Sequence, residues 1–227
     1  MLISFKNMPR ILRSRDVLSI LSFSSLRELD VSDQPALNRN EENQKERTLT
    51  DETILNFFQG IQNNFGNTLE VLKMDNWRLR ISMSDQTAGK LKQIFTKLEK
   101  LTTISLNNMN ISSEPNHNQP VLLKTMIKHL PQLRKLSILN CKLEADQVPA
   151  IFKTLKQKVK GRKGGIILYT WLVDGLEELL QCLEKSKTVK FKYDDKFDKY
   201  GTLEIFQDKK ESLMDRMRSI KLPTKKE

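Results

Sequence analysis

The chain has 227 residues and a formal net charge of +11, and 30% of its residues are charged, 38% hydrophobic and 7% aromatic. This length suffices for one large domain or two small ones, while eight Gly and seven Pro exclude collagen-like and low-complexity chains. No apolar run approaches the roughly 18–20 residues of a membrane span. Two cysteines cannot form a disulfide framework, so we expect an intracellular protein and favour the cytoplasm as its location.

The first 27 residues are rich in Arg and Ser and poor in acids. That composition is typical of a mitochondrial transit peptide. A mitochondrial location therefore stays open beside the cytoplasmic one.

Four segments of the chain share one spacing of apolar residues. They begin at Leu26, Leu69, Leu101 and Leu133, and each has apolar residues at its first, fourth and sixth positions. The last segment, LRKLSILNCKL, matches the pattern L-x-x-L-x-L-x-x-N/C-x-L at every apolar position. The separation of equivalent positions is 43 residues between the first two segments and 32 residues in the later ones.

On these motifs the chain resembles leucine-rich-repeat proteins of the ribonuclease-inhibitor-like subclass, of which the phrase NTLEVL at 67–72 is typical. The resemblance implies an α/β solenoid with parallel strands on a concave face and helices on a convex face. It also implies that the concave face binds a protein partner.

Apolar spacing predicts a helix between successive strands. The first begins after an N-cap at Thr50 and runs to Phe65, and Ser84 caps the second; Pro120 opens the third, and Asp146–Lys158 forms the fourth. A further strand is expected around Leu168, and a helix over 171–183 follows it.

The sequence predicts two regions. Residues 1–193 form the solenoid, with an insertion loop at 38–50 that contains the polar stretch NRNEENQKER. Residues 194–227 form a closing hairpin with a charged turn at 194–201, and then a charged helix and tail.

The candidate protein-binding face follows from the alternation of side chains along each strand. It comprises Glu28, Asp30, Lys73, Asp75, Trp77, Ser105, Asn107, Lys135, Ser137 and Leu139.

The sequence contains no residue pattern that is typical of a catalytic site. Neither His117 nor His129 has Cys, Asp or Glu partners at the spacing of metal ligands, and no nucleotide-binding or nucleophile motif occurs. We expect no enzyme activity, cofactor, metal or small-molecule substrate. His129 is expected at a helix end, where the helix dipole favours its charged form, and Cys141 is expected to be buried and to bond loop backbone between repeats.

A basic run forms a second candidate surface, for anionic partners. It comprises Lys153, Lys156, Lys158, Lys160, Arg162 and Lys163, with no acid among them. Such a cluster attracts phosphate backbones or acidic proteins. The first functional interpretation is a non-enzymatic scaffold or accessory subunit that binds protein. The alternative is a basic subunit of a nucleic-acid-associated complex that contacts phosphates through 153–163 and the tail.

The N-terminal end gives a third candidate surface, formed by Leu2, Phe5, Arg10 and Arg13. Ile3 and Phe5 take the places of Ile104 and Leu106, so the chain is expected to begin inside a repeat strand with an open edge. We expect another polypeptide to cover that edge.

Overall fold

The computed structural model describes residues 2–4, 26–32, 47–49, 51–76, 79–81, 84–108, 121–139, 141, 147–160, 165–170, 176–186, 189–197 and 200–207. Its strands are β1 (Leu2–Ser4), β2 (Glu28–Asp30), β3 (Arg47–Leu49), β4 (Val71–Lys73), β5 (Leu79–Ile81), β6 (Thr103–Ser105), β7 (Lys135–Ser137), β8 (Ile166–Thr170), β9 (Val189–Phe197) and β10 (Tyr200–Gln207). Its helices are α1 (Asp51–Phe65), α2 (Asp85–Thr96), α3 (Val121–His129), α4 (Val148–Val159) and α5 (Leu176–Glu184).

Eight of the strands form one sheet in the order β1-β2-β4-β6-β7-β8-β10-β9. The first six run parallel, and β10 pairs antiparallel with both β8 and β9. A helix follows β4, β6, β7 and β8 in sequence before the next strand of this sheet. The protein is therefore an α/β protein with a mostly parallel sheet, and this much of the predicted fold class is confirmed.

The parallel strands are in register at the predicted apolar positions. Leu29 pairs with Leu72, and the same row continues through Ile104, Leu136 and Leu168. These five side chains are at most 2% exposed. At the other end Ile3 pairs with Leu29, so its predicted equivalence to Ile104 is confirmed.

The helices cover the face of the sheet that carries this leucine row. Residues of all five helices join the sheet in a single hydrophobic core. Within it the ring of Phe58 on α1 meets that of Phe95 on α2 edge to face, with centroids 4.9 Å apart. Burial of each such large apolar side chain contributes about 1.5–3 kcal/mol to folding.

The helix starts and stops follow local signals in the sequence. The Ser84 side chain accepts the backbone N–H of Thr87 at 3.2 Å, which confirms the predicted cap of α2. The third helix begins at Val121, directly after Pro120, and ends at His129. The fourth runs from Val148 to Val159, two residues later at its start than predicted.

The predicted insertion loop at 38–50 is partly wrong, because β3 lies within it. This strand pairs in parallel with β5, and Arg47 lies opposite Leu79. These two positions are separated by the same interval as the regular repeats, so the extra residues of the long repeat lie between Ser32 and Arg47. The rest of 38–50 lies outside the described residues.

The predicted C-terminal hairpin exists, but its strands are longer than expected. β9 extends to Phe197 and β10 begins at Tyr200, so most of the predicted turn at 194–201 is strand. The predicted boundary between 193 and 194 falls inside β9. Since β10 also pairs with β8, the hairpin extends the main sheet. The predicted terminal helix and tail beyond Gln207 lie outside the described residues.

Candidate functional site

The face of the sheet opposite the helices carries the candidate protein-binding residues, and we call it the outer face. Alternation along the strands places on it the residues that flank the leucine row. Its described members on β2 to β8 are Glu28, Asp30, Val71, Lys73, Thr103, Ser105, Lys135, Ser137, Ile167 and Tyr169.

A ladder of hydrogen bonds joins residues that follow successive strands, at Ser32, Asp75, Asn107 and Leu139. The backbone N–H of Asp75 donates to Oγ of Ser32 at 3.0 Å. In the same way Asn107 donates to Oδ1 of Asp75, and Leu139 donates to Oδ1 of Asn107, each at 2.8 Å. Each polar side chain therefore binds the backbone of the next repeat.

Serine hydroxyls on the strands complete this polar ladder. Oγ of Ser105 donates to Oδ1 of Asp75 at 2.6 Å, and Oγ of Ser137 donates to Oδ1 of Asn107 at 2.7 Å. The Asn107 amide donates to Oδ2 of Asp75 at 3.2 Å and to Oγ of Ser105 at 2.9 Å. Four of the predicted binding residues are thus brought together, and they bind one another.

The turn after the ladder repeats as well. Asn76 and Asn108 have φ values of 62° and 56°, in the left-handed region that Asn tolerates better than most residues. Their side chains meet, with the Asn108 amide donating to Oδ1 of Asn76 at 2.6 Å. Sequence reasoning missed this pair, although the recurrence of Asn at 76, 108 and 140 was its signal.

At the β2–β4 end the outer face carries an ion pair. Nζ of Lys73 lies 2.5 Å from Oε1 of Glu28, and both side chains are partly buried. This hydrogen bond raises the pKa of Lys73, and the negative charges of Glu28, Asp30 and Asp75 raise it further. Together they outweigh partial burial, which lowers the pKa. This end of the face therefore has three acids around one lysine.

At β7 and β8 the outer face has a different character. Lys135 is exposed, while Leu139, Ile167 and Tyr169 are half-buried. Ile167 pairs with Lys135 and Tyr169 pairs with Ser137 across the two strands. We call Lys135, Leu139, Ile167 and Tyr169 the β7–β8 patch. Sequence reasoning missed its two β8 members, although the alternation of IILYT pointed to them.

Cys141 has the predicted structural role. Its side chain is 1% exposed, and its Sγ donates to the carbonyl oxygen of Leu106 at 2.8 Å. The thiol thus joins two neighbouring repeats. Trp77, a predicted member of the protein-binding face, lies outside the described residues.

The basic run lies on α4 and just after it. Lys153 and Lys160 are exposed, and Lys156 is half-buried, whereas Arg162 and Lys163 lie outside the described residues. Lys158 is engaged within the fold, since its Nζ donates to the carbonyl oxygens of Leu130 and Lys128 at the end of α3. Such a cation satisfies carbonyls that a helix end leaves without partners.

The environment of His129 differs from the predicted one. Burial lowers its pKa below 6.5, and the charges of Lys128, Lys92 and Lys158 lower it further. The predicted position of His129 at a helix end is confirmed, but desolvation and the three lysines disfavour its charged form there, in contrast to the expectation. These lysines come from α2, α3 and α4, a convergence that the sequence did not reveal.

The N-terminal candidate surface is described only in part. Leu2 lies on β1, which pairs with β2 and forms one edge of the main sheet among the described strands. Phe5, Arg10 and Arg13 lie outside the described residues.

Two comparisons with known proteins were without a match. No protein-family model matches it, and no curated protein shows significant similarity to it. Within the described part of the chain, no helix is both long and apolar enough to cross a membrane.

Proposed function

We propose that this protein is a leucine-rich-repeat solenoid without enzymatic activity, which binds a protein partner through its outer face and acts as a scaffold or accessory subunit. The observation that carries the proposal is the polar ladder. It repeats at the interval of the leucine row and holds the strand ends in fixed positions, which favours a rigid recognition surface.

The contacts to the partner are assigned to the β7–β8 patch. The polar side chains of the ladder already form hydrogen bonds within it, at Asp75, Ser105, Asn107 and Ser137. They are therefore poor candidates for contacts with a partner. The patch instead combines one exposed lysine with half-buried Leu, Ile and Tyr side chains. An apolar centre that contains an aromatic ring, with charge at its rim, is typical of protein interfaces.

The test uses the full chain as bait in native extract, followed by reconstitution with the purified partner. We expect Tyr169→Ala combined with Lys135→Glu to weaken the reconstituted complex at least tenfold, about 1.4 kcal/mol. The control is Lys185→Glu, which makes the same charge change at an exposed position directly after α5.

Unfolding curves must show that the double variant and the control both remain folded. Equal affinity of the patch variant and the wild type would contradict the assignment of the contact surface. Turnover of a substrate by the isolated chain would contradict the non-enzymatic proposal.

A further inference from the structure

The helix side of the protein has an unusual charge composition. The segments 121–129 and 148–160 contain no Asp or Glu, and α2 has one acid, Asp85, in its first turn. All cations of α2, α3 and α4 are Lys or His, with no Arg among them. These three helices pack side by side, so their positive charges share one surface.

These charges approach one another at the end of α3, where Nζ of Lys158 on α4 donates to the carbonyl oxygen of Lys128 and nearby lysines lower the pKa of the adjacent His129. The three lysines that act on it are far apart in sequence, at 92, 128 and 158, and lie on three different helices. Lys158 is held by the carbonyls at the end of α3. Lys92 and Lys128 are exposed, as are Lys153 on α4 and Lys160 directly after it.

The fold gives these exposed lysines no carboxylate partners among the described residues. The two ion pairs found there, Arg27 with Glu70 and Lys73 with Glu28, lie on or directly before β2 and β4. We call Lys92, Lys128, Lys153 and Lys160 the lysine ridge. Positive charges that share one surface create a positive potential there. Such a ridge attracts an anionic partner that carries many negative charges.

The residue types indicate which anion. Protein interfaces are enriched in Arg and aromatic residues and depleted in Lys, which disfavours an acidic protein. The aromatic residues of α2–α4 are Phe95, which is buried, and Phe152, which packs against the core. No ring is thus offered by these helices for stacking on unpaired bases. Lysines act on phosphates as point charges, without base-specific geometry.

We propose that the lysine ridge binds double-helical nucleic acid through its phosphate backbone, without sequence specificity. The ridge crosses three neighbouring helices with axes about 8–10 Å apart, and a duplex carries one charge per about 1.7 Å of its length. A duplex laid across the helices thus presents several phosphates to the ridge. The outer face, on the other side of the sheet, stays free for a protein partner.

The test measures fluorescence anisotropy of the full chain with a labelled duplex of about 20 base pairs, as DNA and as RNA, between about 50 and 200 mM salt. We expect affinity for both duplexes to fall steeply with salt. Lys92→Gln with Lys128→Gln should weaken binding and reduce the slope of log K against log salt by about 2. The matched control, Lys100→Gln with Lys185→Gln, removes the same charge from exposed positions elsewhere and should leave most of the salt dependence unchanged.

A second readout places the ligand on the ridge. Phosphates near Lys92 and Lys128 should raise the pKa of His129, seen in its NMR titration with His117→Gln used for assignment. Equal salt slopes for the ridge variant and its control, or no binding at the lowest salt, would overturn the proposal. Retention on immobilised poly-glutamate without duplex binding would reassign the ridge to an acidic protein and also overturn it.

Discussion

The backbone N–H of Asn107 donates to Oδ1 of Asp75 at 2.8 Å, and the two residues lie 32 positions apart in the chain. The same bond recurs from Leu139 to Asn107. Because each bond joins equivalent positions of successive repeats, polar side chains on the outer face hold the strand ends at a constant spacing.

Removal of the central member of the ladder should destabilise the protein. Asp75→Ala deprives Asn107 N–H and the Ser105 hydroxyl of their acceptor, and hydrogen bonds to a charged group contribute about 1.5–3 kcal/mol each. We expect the free energy of unfolding in urea to fall by about 2–4 kcal/mol. The control Asp30→Ala removes a local bond to Ser32 N–H and should cost less than half as much; equal losses would mean that the ladder adds nothing beyond a local turn.

Truncation of the leucine row should have a larger effect than truncation on the outer face. Leu136 is fully buried, so Leu136→Ala should lower the free energy of unfolding by about 2–5 kcal/mol. Leu139 is half-buried on the opposite face, and Leu139→Ala removes the same atoms as a matched control. Urea denaturation of both variants measures the difference, and a loss near zero at Leu136 would contradict the register.

Gly165 marks the close approach of β8 and β10. A Cβ at this position would lie 2.3 Å from the backbone oxygen of Ile205, so Gly165→Ala must move one strand. We expect a fall in melting temperature and loss of amide-exchange protection in β10. Gly89 on α2 is the contrasting position, because it is exposed and a Cβ there would meet nothing within 4 Å. Gly89→Ala should therefore stabilise the protein by about 0.5–1 kcal/mol. A neutral Gly165→Ala would contradict the β8–β10 pairing.

Stability should fall in mild acid because of His129. Its folded-state pKa lies below 6.5, so the unfolded chain binds more protons between that value and 6.5. The stabilising contribution is present above pH 6.5 and is lost as pH falls through the folded pKa. Urea midpoints across this range should show a smaller pH dependence in His129→Gln than in the wild type. The control His117→Gln should retain the dependence, and an unchanged slope in His129→Gln would assign it to other groups.

The sequence by itself determined the leucine row and the helices that alternate with its strands. Apolar side chains must leave water, so the spacing of Leu72, Ile104 and Leu136 already states which face is buried. Caps such as Ser84 are equally local, since the hydroxyl and the N–H that it accepts lie within one turn.

Only the tertiary structure decided the roles of the polar residues. Along one strand, Asp75 or Asn107 at an outward position looks the same whether it faces solvent or bonds a neighbouring repeat. The difference lies in contacts between residues about 30 positions apart, which no local pattern encodes. The same holds for the pairing of β3 with β5 and for the convergence of Lys92, Lys128 and Lys158. Both depend on which distant segments of the chain become neighbours when the core packs.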